Sequence, residues 1–353
     1  MVPIHAIREA MPYDNTLLLT KATEKGLAEK YLAPRRYTRK KLYQSMFEGK
    51  TIVFTDYPIS LKVPQGADKI SFLSGLLQAY IPQKEIIKIR TGTKHRIIKV
   101  TVRETLARWT RGRSRFGVTD LHFRGTRLFD KIDADAISHF NLLPRFSAEV
   151  SFLEMLTLVI SAKGIFSDSH SDDGDGSNHC FTGKKLWFAW DREEGRKMGL
   201  EDCTYDPVDE QAKFSIDKFL SLSSAHWFIV SENRTLFMPG NFAHRVITLE
   251  KYIGFGSFYV SFPNYFNAVK RWTLYESSDV TDDFINSLNI NLIKLLKSVA
   301  KMSTAEKELW GVDYLFKARA QLTKNMTPEQ VECFLKNETV RNLLAAIDRI
   351  AQQ

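Results

Sequence analysis

The apolar positions of this chain change their period twice. Up to about residue 115, helical and strand-like pieces alternate: Ile70 to Tyr80 carries helical spacing, whereas Glu85 to Arg90 and Ile97 to Val102 are β-branched runs of strand type. From about 116 to 270 the chain turns to short apolar runs broken by Gly, Pro, Asn and Asp, the pattern of an antiparallel β fold. Leu156 to Ile160, Leu186 to Trp190, Trp227 to Val230, Thr235 to Met238, Arg245 to Leu249 and Ile253 to Phe262 are the expected strands. From about 275 the period becomes helical. Phe284, Leu288, Leu292, Leu295, Leu296 and Val299 fall on one face, and Ser303-x-x-Glu306 and Thr327-Pro328-x-Gln330 are capping boxes that start two further helices. The pattern predicts a mixed α/β region over 1–115, a β sandwich or barrel over 116–270 and a unit of about three helices over 271–353.

With 353 residues, 44% of them hydrophobic, and 24 Phe, 12 Tyr and 6 Trp, the chain can bury a large core, which excludes a disordered tail, a fibre and a small disulfide scaffold. Three cysteines, Cys180, Cys203 and Cys333, are too few and too scattered for a disulfide framework or a Cys-rich zinc site. No apolar stretch approaches the roughly 20 residues of a membrane span, and Arg8, Glu9 and Asp14 interrupt the start of the chain. Nucleus or cytoplasm is the expected location, with no membrane partner. The net charge of +9 is unevenly spread: 28 basic against 15 acidic residues over 1–165, 7 against 13 over 166–218, and 15 against 13 beyond. Basicity concentrates in Arg35 to Lys41 and in 84–115, which holds 11 basic residues and 2 acids. Such runs are commonly solvated faces or import signals. Their density also suits nucleic acid or a nucleosome, with Trp109 and Phe116 placed to stack on bases.

The acidic block holds the candidate chemistry. Ser167-Asp168-Ser169-His170-Ser171-Asp172-Asp173-Gly174-Asp175 is dense in metal-capable side chains. A calcium loop of EF-hand type needs oxygen ligands at fixed places in a twelve-residue loop. A start at Asp168 puts His170 in third place, and a start at Asp173 puts Lys184 in twelfth, so neither register works. On an extended strand, His170 and Asp172 would point to one face. His244, which follows the Pro239-Gly240 turn, supplies a third ligand from a second strand. Two histidines and a carboxylate form the facial set of non-haem iron enzymes and leave positions open for a cosubstrate and oxygen. The plain alternative is a surface acid cluster with a strand-capping histidine. Gly183-Lys184-Lys185-Leu186-Trp187 weighs against it, because a lysine turned into a barrel is costly to bury unless a dicarboxylate neutralises it.

From about Phe146 to Asn264 the chain resembles the Jumonji-C (JmjC) domain of the Fe(II)/2-oxoglutarate-dependent oxygenases. The resemblance rests, in order, on Ser167, His170-Ser171-Asp172, Asn178, Gly183-x-Lys185-x-Trp187, Phe237-Met238-Pro239-Gly240-x-x-x-His244-x-Val246 and Gly256-Ser257-Phe258-Tyr259, and it covers about a third of the chain. It implies a mainly β fold with α additions, built on a double-stranded β-helix of cupin type. It implies Fe(II) held by His170, Asp172 and His244, with 2-oxoglutarate and O2 as cosubstrates. Lys185 would pair with the distal carboxylate of 2-oxoglutarate, with Lys184 competing for that role. Ser167 would hydrogen-bond the same carboxylate, and Asn178 and Ser257 would touch the cosubstrate or its water.

The activity implied is hydroxylation of a protein side chain or demethylation of N-methyl-lysine, with 2-oxoglutarate decarboxylated to succinate. Alternatives are an oxygenase or demethylase of nucleic acid, and a non-catalytic scaffold that binds chromatin or RNA. Protein is the expected substrate because carboxylates near Asp172, Asp173 and Asp175 favour a cationic side chain at the entrance. Taken singly, Asp173 and Asp175 read as solvated loop acids, and His179, Cys180, Trp187 and Trp190 as packing residues. The C-terminal helices offer a surface for a homodimer.

Overall fold

The computed structural model describes residues 2–10, 20–61, 63–80, 82–91, 96–111, 116–122, 132–133, 139–146, 157–172, 174–200, 214–274, 281–324 and 326–352. Among them are β1 Ile52–Phe54, β2 Ser60–Leu61, β3 Ile86–Thr91, β4 Arg96–Thr101, β5 Phe116–His122, β6 Ile132–Asp133, β7 Thr157–Ser161, β8 Phe166–Ser171, β9 Asp175–Asp191, β10 His226–Ser231, β11 Thr235–Met238 and β12 Phe242–Tyr259. All but β2 and β6 belong to one ten-stranded sheet. Every named pairing in it is antiparallel. With its helices the molecule is mixed α/β.

β9 and β12, 17 and 18 residues long, pair along their whole length and form the spine of the sheet. The start of β9 pairs with β11 and its end with β10, while the start of β12 pairs with β8 and its end with β7. Two arms therefore share one spine. One arm continues from β7 through β5 and β3 to β4, so strands from before and after the expected boundary at 115 belong to one sheet. The two strands expected at Arg245 to Leu249 and Ile253 to Phe262 are a single strand, β12, with ladder irregularities between Thr248 and Gly254 where the arms meet.

Those irregularities decide which side chains face inward. Asn178 and Cys180 are even-numbered and Trp187 and Ala189 odd-numbered, yet all lie on the face that carries Tyr252 and Val246. β9 thus inserts one residue between its halves, and a bulge of this kind re-aims every side chain beyond it. Gly183 sits at the change with φ 91°, and a Cβ there would run into the Lys251 carbonyl. Only glycine fits that corner. Beyond it Lys184 turns out, its Nζ 2.5 Å from Glu250, and Lys185 turns in.

The first stretch packs on the outer faces of both arms: Ile7 and Leu27 share a core with Leu186, Phe188 and Trp190, and Leu42, Tyr43, Phe54, Leu106 and Trp109 share another with Phe181, Phe237 and Phe255. Trp109 and Phe116 are each 1% exposed and pack edge to face, so they fill this core and are closed to bases, because their apolar bulk is worth more there than in water. Beyond residue 281 there are five helices among the described residues, where about three were expected: Asp282–Val299, Thr304–Trp310, Val312–Gln321, Pro328–Lys336 and Glu338–Ala351. Two of the breaks are single residues that end one helix and start the next, Gly311 at φ 70° and Asn337, whose side chain accepts from Thr339 N and Val340 N. Both expected capping boxes form. The apolar faces of these helices pack on one another and on Tyr265–Leu274. No helix among the described residues is long and apolar enough to cross a membrane.

Candidate metal centre

The ladder between β8 and β12 sets His170 directly opposite His244, and directly opposed residues share a face. Their ring centroids are 4.2 Å apart. Asp172, just past the end of β8, brings Oδ2 to 3.8 Å from Nε2 of His244. The ligand atoms of His170, Asp172 and His244 all lie within 4.8 Å of one another. Histidine nitrogen and carboxylate oxygen bind a divalent ion at roughly 2.0–2.2 Å, and these three donors are close enough together to share one. The three residues picked out along the sequence are together in space.

His244 is 3% exposed, and its Nδ1 lies 3.2 Å from the carbonyl oxygen of Phe242. A carbonyl only accepts, so Nδ1 carries the hydrogen and Nε2 presents its lone pair toward Asp172; fixing the ring in this way is what partners behind a metal-binding histidine do. Burial, and next the neighbouring His170, push the His244 pKa down to about 4, which keeps the imidazole neutral and able to ligate. Trp187 covers the ring at 5.3 Å.

Lys185 is 6% exposed on the same inner face, and burial pushes its pKa down to about 7. Its Nζ sits 4.5 Å above the Tyr252 ring, and no carboxylate forms an ion pair with it among the described residues. Tyr252 donates its hydroxyl hydrogen to Asn178 Oδ1, so Asn178, Tyr252 and Lys185 form a connected polar strip in an otherwise apolar interior. Sequence reasoning missed Tyr252; a lone tyrosine in a strand gives no signal of its own.

The two predicted serines lie on different faces of the sheet, Ser167 opposite the inner-face Val246 and Ser257 on the other side. Ser167 accepts a hydrogen bond from Val246 N at 3.1 Å, which closes the irregularity in the β8–β12 ladder. Ser257 lies opposite Ser177, and the two hydroxyls are 2.9 Å apart. Since Gly256 opposes Asn178, alternation turns Ser257 to the other face of the sheet, the one bearing His179 and Phe255. The structure does not bring Ser257 to the cluster. His179 bonds Thr235 Oγ1 at 2.8 Å and packs on Phe181, and Trp187 and Trp190 are buried, as expected of packing residues. Asp173, Cys203 and residues 112–115 lie outside the described residues.

Asp175 corrects the reading of a solvated loop acid. It is 3% exposed, accepts from Gly240 N at 3.0 Å and from Asn264 Nδ2 at 2.6 Å, and pairs with Arg271. A carboxylate this deep persists because every oxygen is partnered. One group thereby ties the segment after Asp172 to the turn before His244 and to the helix Tyr265–Leu274. It also leaves the entrance, so a carboxylate-lined mouth keeps Asp172 and loses Asp175. Asp175→Asn, which strands the Arg271 guanidinium, is expected to cost about 3–5 kcal/mol of stability by urea unfolding.

A cavity of about 410 Å3 opens at the bend of the spine, lined by Thr182, Gly183, Lys184, Glu232 and Glu250 among others. It lies at the corner behind Lys184; Lys184–Glu250 and Lys69–Glu232 pair three of its charged side chains, and a fourth, Lys251, donates from Nζ to the Trp109 carbonyl at 2.7 Å. No protein-family model matches the chain, and no curated protein matches it.

Proposed function

We propose that this protein is a JmjC-type Fe(II)/2-oxoglutarate-dependent oxygenase that hydroxylates a protein side chain or demethylates N-methyl-lysine. The observation that carries the reading is one inner face with both an N,N,O ligand cluster and a buried lysine that has no carboxylate partner among the described residues. Either feature alone is compatible with a purely structural role; side by side on one face they answer to a single ligand set. Two imidazoles and a carboxylate suit Fe(II), and a buried ammonium needs an anion brought in from outside. A spine of two long strands shared by two arms is the frame a double-stranded β-helix requires, which supports that finer description of the sheet.

When bound, Fe(II) with 2-oxoglutarate and O2 supplies an oxidant that inserts oxygen into a substrate C–H bond while 2-oxoglutarate is lost as succinate and CO2. The chain's own contribution is placement. His170, Asp172 and His244 would hold the ion, with His244 fixed by the Phe242 carbonyl. Lys185, on Tyr252, would receive the distal carboxylate of 2-oxoglutarate, and Asn178 would steady the Tyr252 hydroxyl. Trp187 and the inner apolar cluster keep water from that end of the site.

A protein substrate is favoured over nucleic acid because the aromatics of the basic region are in the core. Arg35, Arg36, Arg39, Lys40 and Lys41 remain exposed and would serve docking or import. Mass spectrometry of peptide and oligonucleotide pools after turnover tests the reading: oxygen gain or methyl loss on peptides, dependent on 2-oxoglutarate, is the expected result. Failure to form succinate with any pool would leave the scaffold alternative.

A further inference from the structure

Strand pairing places two of the three ligands and leaves the third to something else. His170 and His244 face each other across the β8–β12 ladder, which ends on that side with Ser171 opposite Ala243. Asp172 lies one residue past the end of β8, its side chain is 39% exposed, and no hydrogen bond holds its carboxylate among the described residues. A donor set that shares one ion has to be held in place by groups behind it.

Three residues on, at the first position of β9, the chain is gripped again. Asp175 Oδ1 accepts from Gly240 N at 3.0 Å and pairs with Arg271, while Oδ2 accepts from Asn264 Nδ2 at 2.6 Å. Asn264 is itself locked, because its Oδ1 accepts from Ser261 N at 2.6 Å and from Ser261 Oγ at 2.8 Å. Three donors therefore converge on one side chain, and a carboxylate, which accepts at both oxygens, meets them all. Gly240 stands in the turn between β11 and β12, four residues before His244. One side chain, 3% exposed, thus fixes the backbone three residues after one ligand and four residues before another. Between Asp172 and Asp175 the chain runs close over the Phe258 ring, where a Cβ on Gly174 would come within 3.1 Å of it, so the crossing has little room to drift.

We propose that Asp175 is a positioning residue of the metal centre: its grip on Gly240 sets the separation of Asp172 from His244, and with it the affinity for a divalent ion. This rests on the metal-holding part of the oxygenase reading and on neither the reaction nor the substrate. Arg271 has a different task. It supplies the countercharge to a buried carboxylate and ties it to the helix Tyr265–Leu274, away from both ligand-bearing segments.

The two partners should therefore separate under mutation. Removing either one breaks the same buried pair, so Asp175→Ala and Arg271→Met should both lower the urea midpoint. Asp175→Ala also releases Gly240, and its Kd for Co(II) should rise about 10–100-fold, as when a partner behind a metal ligand is lost. Arg271→Met leaves the Gly240 and Asn264 bonds in place, and its Kd should stay within about threefold of the unaltered chain. A purely structural Asp175 predicts instead that metal affinity follows stability in both variants. Amide exchange of the metal-free protein reads the tie itself: Gly240 N–H should exchange about tenfold faster in Asp175→Ala than in the unaltered chain or Arg271→Met.

Titrations use the folded full chain, well below each urea midpoint. An unchanged Kd in folded Asp175→Ala, or as large a loss in Arg271→Met, would overturn the assignment. Where Asp175→Ala does not fold, the unaltered chain decides. The tie is reciprocal, so saturating Zn(II) should slow Gly240 N–H exchange by about fivefold or more, and exchange that ignores the ion overturns it as well. An unaltered chain that binds no Co(II) removes the metal centre and this role together, whereas binding that survives Asp175→Ala removes the role alone.

Discussion

Alanine at His244 will leave the protein unable to hold a divalent metal, and 2-oxoglutarate-dependent succinate formation will fall to background. His244 is the most enclosed member of the cluster, 3% exposed and oriented by the Phe242 carbonyl. Removing it leaves His170 and Asp172, two donors on one side of the ion. Loss of an outer partner alone costs about 10–100-fold in metal affinity, so loss of the ligand should exceed that range in a Co(II) titration. Asp172→Asn, which keeps the volume and removes the charge, should lose metal without disturbing the fold. Metal should raise the unfolding free energy of the unaltered chain, by about 2.7 kcal/mol at a hundred times its Kd, and of neither variant.

The same residue sets a pH dependence. The His244 pKa is pushed from 6.5 down to about 4 in the folded chain. Between those values the unfolded chain binds a proton that the folded one does not, so the stability His244 allows is full above pH 6.5 and is lost as pH falls through 4. An NMR titration of the His244 ring in the metal-free protein should therefore show it taking up its proton only as pH falls toward 4. A midpoint near 6.5 would show that the ring is not enclosed as the structure has it.

How much of this could be read along the chain depends on how local the cause is. Helices and strands set by side-chain period were legible, as the strand Thr235–Met238 and the capping boxes at Ser303 and Thr327 show. The cluster was legible too, because His170 and Asp172 are two apart on the sequence and His244 follows a Pro-Gly turn. What depends on register was not. Lys184 and Lys185 are chemically alike, and only the residue inserted near Gly183 sends one to Glu250 and the other inside. Asp175 looked like any loop acid because its partners, Gly240, Asn264 and Arg271, are at least 65 residues away.

Lys185→Met should abolish 2-oxoglutarate binding while metal binding survives. Methionine keeps most of the length and the packing on Tyr252 and removes the charge for which no carboxylate partner exists among the described residues. In the unaltered chain, burial pushes the Lys185 pKa from 10.5 down to about 7. Between about 7 and 10.5 the unfolded chain holds a proton that the folded chain has released, so Lys185 lowers stability progressively as pH falls from 10.5 to 7, and the loss levels off below 7. The methionine variant should lack that slope and unfold at a higher urea concentration near neutral pH. For the cosubstrate the sign reverses. The dicarboxylate needs the ammonium, so binding takes up a proton above pH 7, and its Kd should rise by up to about tenfold per pH unit there. Calorimetry of 2-oxoglutarate with the Zn(II)-loaded protein from pH 6 to 9 measures this directly. A Kd that stays flat across that range, with Lys185→Met binding as tightly as the unaltered chain, would remove Lys185 from the cosubstrate and take away the observation on which the oxygenase assignment most depends.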